Sequence, residues 1–300
     1  MSVVDTIKPV SQTWTFYEDQ WHEGNVAIMG PRTHGAWMAS VVFDGARWFD
    51  GVAPDLDLHL ERVNRSAVAM NLAPLVSLER WRELTFAAAA KFPADAALYI
   101  RPMYWAEAGG VGGGVRPDPD STRWCLCLYE APMPAIEGPK ITLSPFRKPV
   151  PETAPVAAKA SCLYPNNGRA MTEAASRGFG NALMCDALGN VAELANSNVF
   201  MVKDGVVRTP AATGVFLAGI TRARMIQLLR ADGYTVEESS LRYEDFYTAD
   251  EIFMCGNFSK VAGLTGIDDR TLEVGPVTRR AKTLYWAFAH SLKAIAVAAE

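Results

Sequence analysis

Between Val156 and Tyr164 the chain runs Val-Ala-Ala-Lys-Ala-Ser-Cys-Leu-Tyr, small or apolar residues around a single charge, Lys159. A fold that buries such a run must also place an ammonium. Burial disfavours the charged form, lowers the pKa and leaves a neutral amine able to attack a carbonyl. That is the chemistry of a Schiff-base lysine. On this segment by itself, the ordinary reading of a strand-end lysine with its head snorkelling to water weighs more. Two later segments reverse the balance. Asn190-Val191-Ala192-Glu193-Leu194 places an acid where an isolated carboxylate is expensive to bury. Leu217-Ala218-Gly219-Ile220-Thr221-Arg222 opens a helical pattern, and the amides at a helix start bind phosphate.

A nucleophilic lysine, a buried acid and an anion cradle are the parts a protein supplies to hold pyridoxal phosphate. Composition agrees with an enzyme of this kind. The 300 residues, 49% of them hydrophobic, suffice for two modest cores. A net charge of −4 with interspersed signs shows no basic stripe, which argues against nucleic acid as a partner. No apolar run reaches the roughly 18 residues of a membrane span. Met1-Ser2-Val3-Val4-Asp5 has no secretory pattern. The five cysteines, Cys125, Cys127, Cys162, Cys185 and Cys255, are odd in number and scattered, so they read as free thiols. The four histidines are too dispersed for zinc. A cytoplasmic location fits.

Val41 to Phe49 reads as a hairpin turning at Asp44-Gly45. Helical spacing predicts Leu56 to Met70, with Leu60, Val63 and Ala67 on one face, and Leu78 to Phe92. Ala97 to Trp105 and Arg123 to Glu130 read as strands, separated by a glycine-rich loop, Gly109 to Gly114. That loop lacks the Gly-Lys-Ser/Thr ending of a nucleotide phosphate loop and reads as structural. Ala131-Pro132-Met133-Pro134-Ala135 is the best connector. Residues 1–130 are expected to form a small α/β domain, 131–136 a linker and 137–300 a large cofactor-binding domain. Beyond the linker, helices are expected over Asn166 to Gly178, Thr221 to Arg230 and Pro276 to Ala298, and strands over Gly180 to Cys185 and Val199 to Lys203. Mixed strands and helices in two lobes give an α+β class.

Five short motifs fall in one order: Ala158-Lys159-Ala160 with Tyr164; Glu193 with Asn198 and Phe200; Gly219-Ile220-Thr221-Arg222; Ala249-Asp250-Glu251-Ile252-Phe253; and Gly275-Pro276-Val277-Thr278. In this order the chain resembles the class IV, fold type IV pyridoxal-phosphate aminotransferases from about Asp44 to Thr278, nearest the branched-chain group. The resemblance implies a two-domain fold like that of D-amino acid aminotransferase. It also implies pyridoxal 5'-phosphate as cofactor, a small-molecule amino donor with a keto-acid acceptor, and a homodimer.

The resemblance assigns roles. Lys159 anchors the cofactor and moves the proton. Glu193 keeps the pyridine nitrogen protonated, with Asn198 nearby. Tyr164 donates to the 3'-oxygen. Gly219, Ile220 and Thr221 cradle the phosphate, while Arg222 faces away or pairs structurally. Arg62, in His59-Leu60-Glu61-Arg62, matches an arginine that clamps phosphate bidentately, with Arg65 as its competitor. Tyr99 and Arg101 match a substrate-side Tyr-x-Arg pair. There are departures. Gly256-Asn257-Phe258 replaces Gly-Thr-Ala, so Asn257 takes the phosphate contact and Phe258 adds bulk at the substrate. Gly30 to Ala39 brings Arg32, His34 and Trp37 where the family carries Tyr and Phe. The donor therefore stays open between an apolar or branched-chain L-amino acid and, as in (R)-selective amine transaminases, a chiral amine. Lyase chemistry of the aminodeoxychorismate lyase kind is a third reading.

Overall fold

The ladder around β5 (Leu98–Ala106) sets the first half of the fold. Its residues alternate, with Leu98, Ile100 and Tyr104 inward and Tyr99, Arg101 and Met103 on the other face. A computed structural model describes the backbone of residues 11–112 and 114–297. These residues pack as two compact units, one drawn from Met1–Met133 with Ala158–Cys162, the other from Pro134–Ala157 with Leu163–Glu300.

In the first unit β1 (Thr13–Tyr17), β2 (Gln20–Glu23), β3 (Val41–Phe43), β4 (Ala46–Trp48), β5 and β6 (Thr122–Glu130) form one sheet. Three helices accompany it: α1 (His34–Met38), α2 (Leu56–Ala69) and α3 (Leu78–Ala89). The expected hairpin at Asp44-Gly45 does not form. β3 and β4 instead run on in one direction along the same edge of β5, Val41 to Phe43 opposite Trp105 to Met103 and Ala46 to Trp48 opposite Ile100 to Leu98. Pro102 explains the gap. Its carbonyl accepts from the Asp44 amide on that edge, where its own nitrogen has no hydrogen to donate. The strand breaks there and turns the Asp44 side chain inward.

Helix α2 buries Leu60, Val63 and Ala67 completely, as its spacing predicts. Burial of Leu60 and of Val63 contributes about 1.5–3 kcal/mol each. A second stripe of the same helix, His59, Arg62 and Ser66, is also buried although polar. Residues three and four apart share a helix face, so this stripe must meet polar partners inside.

The second unit has two five-stranded sheets. One is ordered β12 (Val236–Ser239), β11 (Val206–Pro210), β10 (Asn198–Lys203), β13 (Glu251–Gly256), β14 (Lys260–Gly263). The other is β16 (Arg270–Thr271), β15 (Gly266–Ile267), β7 (Lys140–Arg147), β8 (Asn181–Cys185), β9 (Val191–Leu194). Helices α4 (Tyr164–Ser176), α5 (Ile220–Ala231), α6 (Tyr243–Tyr247) and α7 (Pro276–Val297) complete it. Ile141, Leu183, Leu194, Val199 and Ile252 lie in one buried cluster fed by both sheets. Among the described residues no helix is long and apolar enough to cross a membrane.

Candidate active site

In the first unit Lys159 is held by its backbone. Its amide donates to Ser66 Oγ at 3.0 Å and its carbonyl accepts from the Phe43 amide at 3.1 Å. Ala160 bridges to Val42. Flanking Ala158 and Ala160 are fully packed, while Lys159 is half-buried. Its Nζ lies 5.0 Å from the centre of the Phe43 ring. The small residues around the lysine let its extended segment approach β3 and α2 closely.

The polar stripe of α2 finds its partners at the break in the sheet edge. Arg62 Nε and Nη2 donate to the two Asp44 carboxylate oxygens at 2.6 and 2.8 Å, and His59 Nδ1 meets Asp44 Oδ1 at 2.8 Å. Burial pushes the Asp44 carboxyl up, but the Arg62 charge and the hydrogen bonds from Arg62 and His59 outweigh it, leaving the carboxyl far below its ordinary value. Arg62 is buried, with two of its nitrogens engaged by Asp44. Arg65, by contrast, reaches Glu61 at the surface.

Tyr99 and Arg101 do share a face of β5, and the register adds Tyr129 opposite Tyr99. The two tyrosine rings stack with centroids 5.2 Å apart, the Arg101 guanidinium lies 5.1 Å from each, and Arg101 Nη2 donates to the Tyr129 hydroxyl at 2.6 Å. Arg101 Nε is shielded from solvent and has no hydrogen-bond partner among the described residues. Behind them Arg47 is fully buried, and burial pushes its guanidinium down to about 10. Tyr129 and Arg47 were invisible in the sequence, because only strand register brings them to Arg101.

In the segment 30–39, Arg32 is exposed and Trp37 is 55% exposed. His34 is buried, with Nδ1 2.8 Å from Ser40 Oγ and Nε2 2.8 Å from the Gly114 carbonyl. Both ring nitrogens are engaged in tying the glycine-rich loop to α1, a structural task.

In the second unit Glu193 is buried on β9, not a surface acid beside a turn. Lys148 Nζ meets Glu193 Oε1 at 2.7 Å and donates to Asn167 Oδ1 at 3.1 Å; Asn198 Nδ2 donates to Glu193 Oε2 at 3.1 Å. Lys148 gave no signal in the sequence, as it sits among exposed-looking charges after β7. Asn198 faces Gly219, whose nonexistent Cβ would stand 1.9 Å from Asn198 Oδ1, so only glycine allows this approach. Gly219 begins α5 in an extended conformation without a side-chain cap. The amides that follow, at Ile220 and Thr221, are among those a helix leaves without intrahelical partners. Thr221 is buried. Arg222 turns to the Pro210 carbonyl and Glu238, as expected of a structural residue. Gly256 lies against Ser197, which brings Asn257 to the same neighbourhood, and Asn257 Nδ2 is solvent-shielded and without a partner among the described residues. Phe258 is 55% exposed, and Tyr164 opens α4, half-buried.

Residues 41–267 match the model of the amino-transferase class IV family. The chain belongs to that family. It is similar to a branched-chain-amino-acid aminotransferase of Pseudomonas aeruginosa, 31% identical over 277 residues and covering 89% of each chain. Among solved structures, an aminotransferase from Brucella abortus bound to the cofactor PLP is 51% identical, with a TM-score of 0.91 over 93% of this chain and 99% of that one. A branched-chain aminotransferase from Thermoproteus uzoniensis with norvaline is 26% identical, with a TM-score of 0.83 over 93% and 95%. The fold is fold type IV, the enzyme is an aminotransferase and its cofactor is pyridoxal 5'-phosphate.

The residues present fit that cofactor. The uncapped start of α5, the contact at Gly219 that excludes a Cβ, and the orphaned Asn257 Nδ2 are what a phosphate would satisfy. A buried carboxylate suits a protonated ring nitrogen.

Proposed function

We propose that the chain transfers the amino group of an apolar, branched-chain L-amino acid to a 2-keto acid, as a homodimer in the cytoplasm. Arg101 carries this reading. It is half-buried between two tyrosines, none of the described acids pairs with it, and its Nε has no partner among the described residues. A substrate carboxylate would complete it through charge-assisted hydrogen bonds, and a simple amine has none to offer. The names of the similar curated proteins support the substrate class.

Lys159 would hold the cofactor covalently, and its amine, once the substrate amine had replaced it on the cofactor, would be free to carry the proton away from the substrate α-carbon. The cofactor supplies the electron sink. Glu193, fixed by Lys148 and Asn198, would hold the proton on the ring nitrogen. Gly219, Ile220, Thr221 and Asn257 would bind the phosphate, Arg62 would join them as the family resemblance implies, and Tyr164 would orient the ring. Arg101, Tyr99 and Tyr129 would position the substrate carboxylate. His34 belongs to the scaffold in this scheme, and Arg32, Trp37 and Phe258 to the rim.

The test is a donor series with L-leucine and (R)-1-phenylethylamine on wild type and Arg101→Met. The expected result is turnover of L-leucine, with kcat/KM lowered about 100-fold by the substitution, the loss of two charge-assisted bonds. Preference for the (R)-amine, with Arg101→Met harmless, would make this an amine transaminase. Release of pyruvate from an aminodeoxychorismate-type substrate would make it a lyase.

A further inference from the structure

Lys260 is completely buried, and it opens β14 with a left-handed φ of +59°. Few non-glycine residues adopt that conformation, and a buried ammonium is costly. A lysine in such a place is held by what it touches. Its Nζ donates to Asn257 Oδ1 at 2.8 Å and lies 5.7 Å from the centre of the Tyr285 ring. The bond settles which way the Asn257 amide faces. Oδ1 is turned to the ammonium, so Nδ2 points away from it, and that is the shielded donor left without a partner among the described residues.

We propose that Lys260 is a positioning residue for phosphate recognition. It fixes the Asn257 amide with its N–H outward and polarises it, so that this amide donates to a phosphate oxygen as a threonine hydroxyl would. The proposal rests on the cofactor site described above and extends it. A threonine brings its own rotatable hydroxyl. An asparagine can present either end to an anion, and only one end is attractive. The ammonium behind it selects that end, and a charged donor to the oxygen strengthens the N–H on the other side of the amide. Asn257 and Lys260 thus act as a pair, three residues apart across the turn that joins β13 to β14.

The experiment measures binding to cofactor-free protein of three probes: pyridoxal 5'-phosphate, pyridoxal and inorganic phosphate. Wild type is compared with Lys260→Met, Asn257→Ala, the double variant and Lys260→Arg. Lys260→Met should weaken the two phosphate-bearing probes about ten-fold, the scale of a hydrogen bond to a charged group, and leave pyridoxal within two-fold. In the Asn257→Ala background it should add less than two-fold, because the effect passes through that amide. Lys260→Arg should recover part of the affinity. Equal weakening of pyridoxal and its phosphate, or additive effects in the double variant, would mean a general packing role and overturn the proposal. Unchanged phosphate binding by a Lys260→Met protein of native melting temperature would also overturn it, while leaving the cofactor site standing. Wild type that fails to bind pyridoxal phosphate through Lys159 would instead overturn the site itself, and the proposal with it.

Discussion

Asp44→Asn removes one charge from a carboxylate that Arg62, His59 and the Gly45 amide hold by hydrogen bonds. The carboxylate accepts from Arg62 at 2.6 and 2.8 Å and meets His59 at 2.8 Å, and it is fully buried. An amide of the same shape takes away the Asp44 charge that Arg62, only 8% exposed, is bonded to. Breaking a buried pair from one side costs about 3–5 kcal/mol. At about 2–4 °C per kcal/mol for chains of roughly this size, the melting temperature should fall by about 10 °C. Calorimetry on cofactor-free protein at pH 7 measures this. The pH dependence has a definite sign. The folded-state pKa of Asp44 lies below its unfolded value of about 3.9, so its stabilisation is fully present above that value and is lost as pH falls toward the folded pKa. The gap between wild type and variant should therefore be constant from pH 8 to 5 and narrow below about pH 4. A shift under about 2 °C, or a gap that does not narrow in acid, would refute the assignment of Asp44 as the ionised partner of Arg62.

Three further outcomes are expected. Gly219→Ala should weaken pyridoxal 5'-phosphate at least about ten-fold in equilibrium dialysis, because the added methyl displaces Asn198, which holds Glu193. Lys148→Met should lower kcat about ten-fold, the loss of one charge-assisted bond at Glu193, with cofactor still attached by its absorbance. Thiol labelling at pH 8 should modify exposed Cys162 first. Cys125 and Cys255 should react only in denaturant, since burial pushes both thiols well above their ordinary value.

Local patterns in the chain disclosed most of what a local pattern can carry. Leu60, Val63 and Ala67 on α2, the alternation of Tyr99 and Arg101 on β5, and the glycine that starts α5 are all matters of spacing within one element. Pro102 shows the limit: Asp44-Gly45 has the composition of a turn, and only the strand across from it decides that the chain continues instead. The partners of the named residues were hidden for the same reason. Asp44 reaches Arg62, Tyr129 reaches Arg101, and Lys148 reaches Glu193 through register and packing between distant segments. His34 is a further case: a basic residue in the 30–39 segment reads the same in sequence whether its ring nitrogens face a ligand or, as here, Ser40 and Gly114.

Borohydride reduction of the cofactor-loaded protein, followed by peptide mass mapping, tests the central claim most directly. Reduction should leave one pyridoxyl group per chain, on Lys159, and Lys159→Ala should neither take up the label nor turn over L-leucine. A label on another lysine, or turnover by Lys159→Ala, would contradict the account.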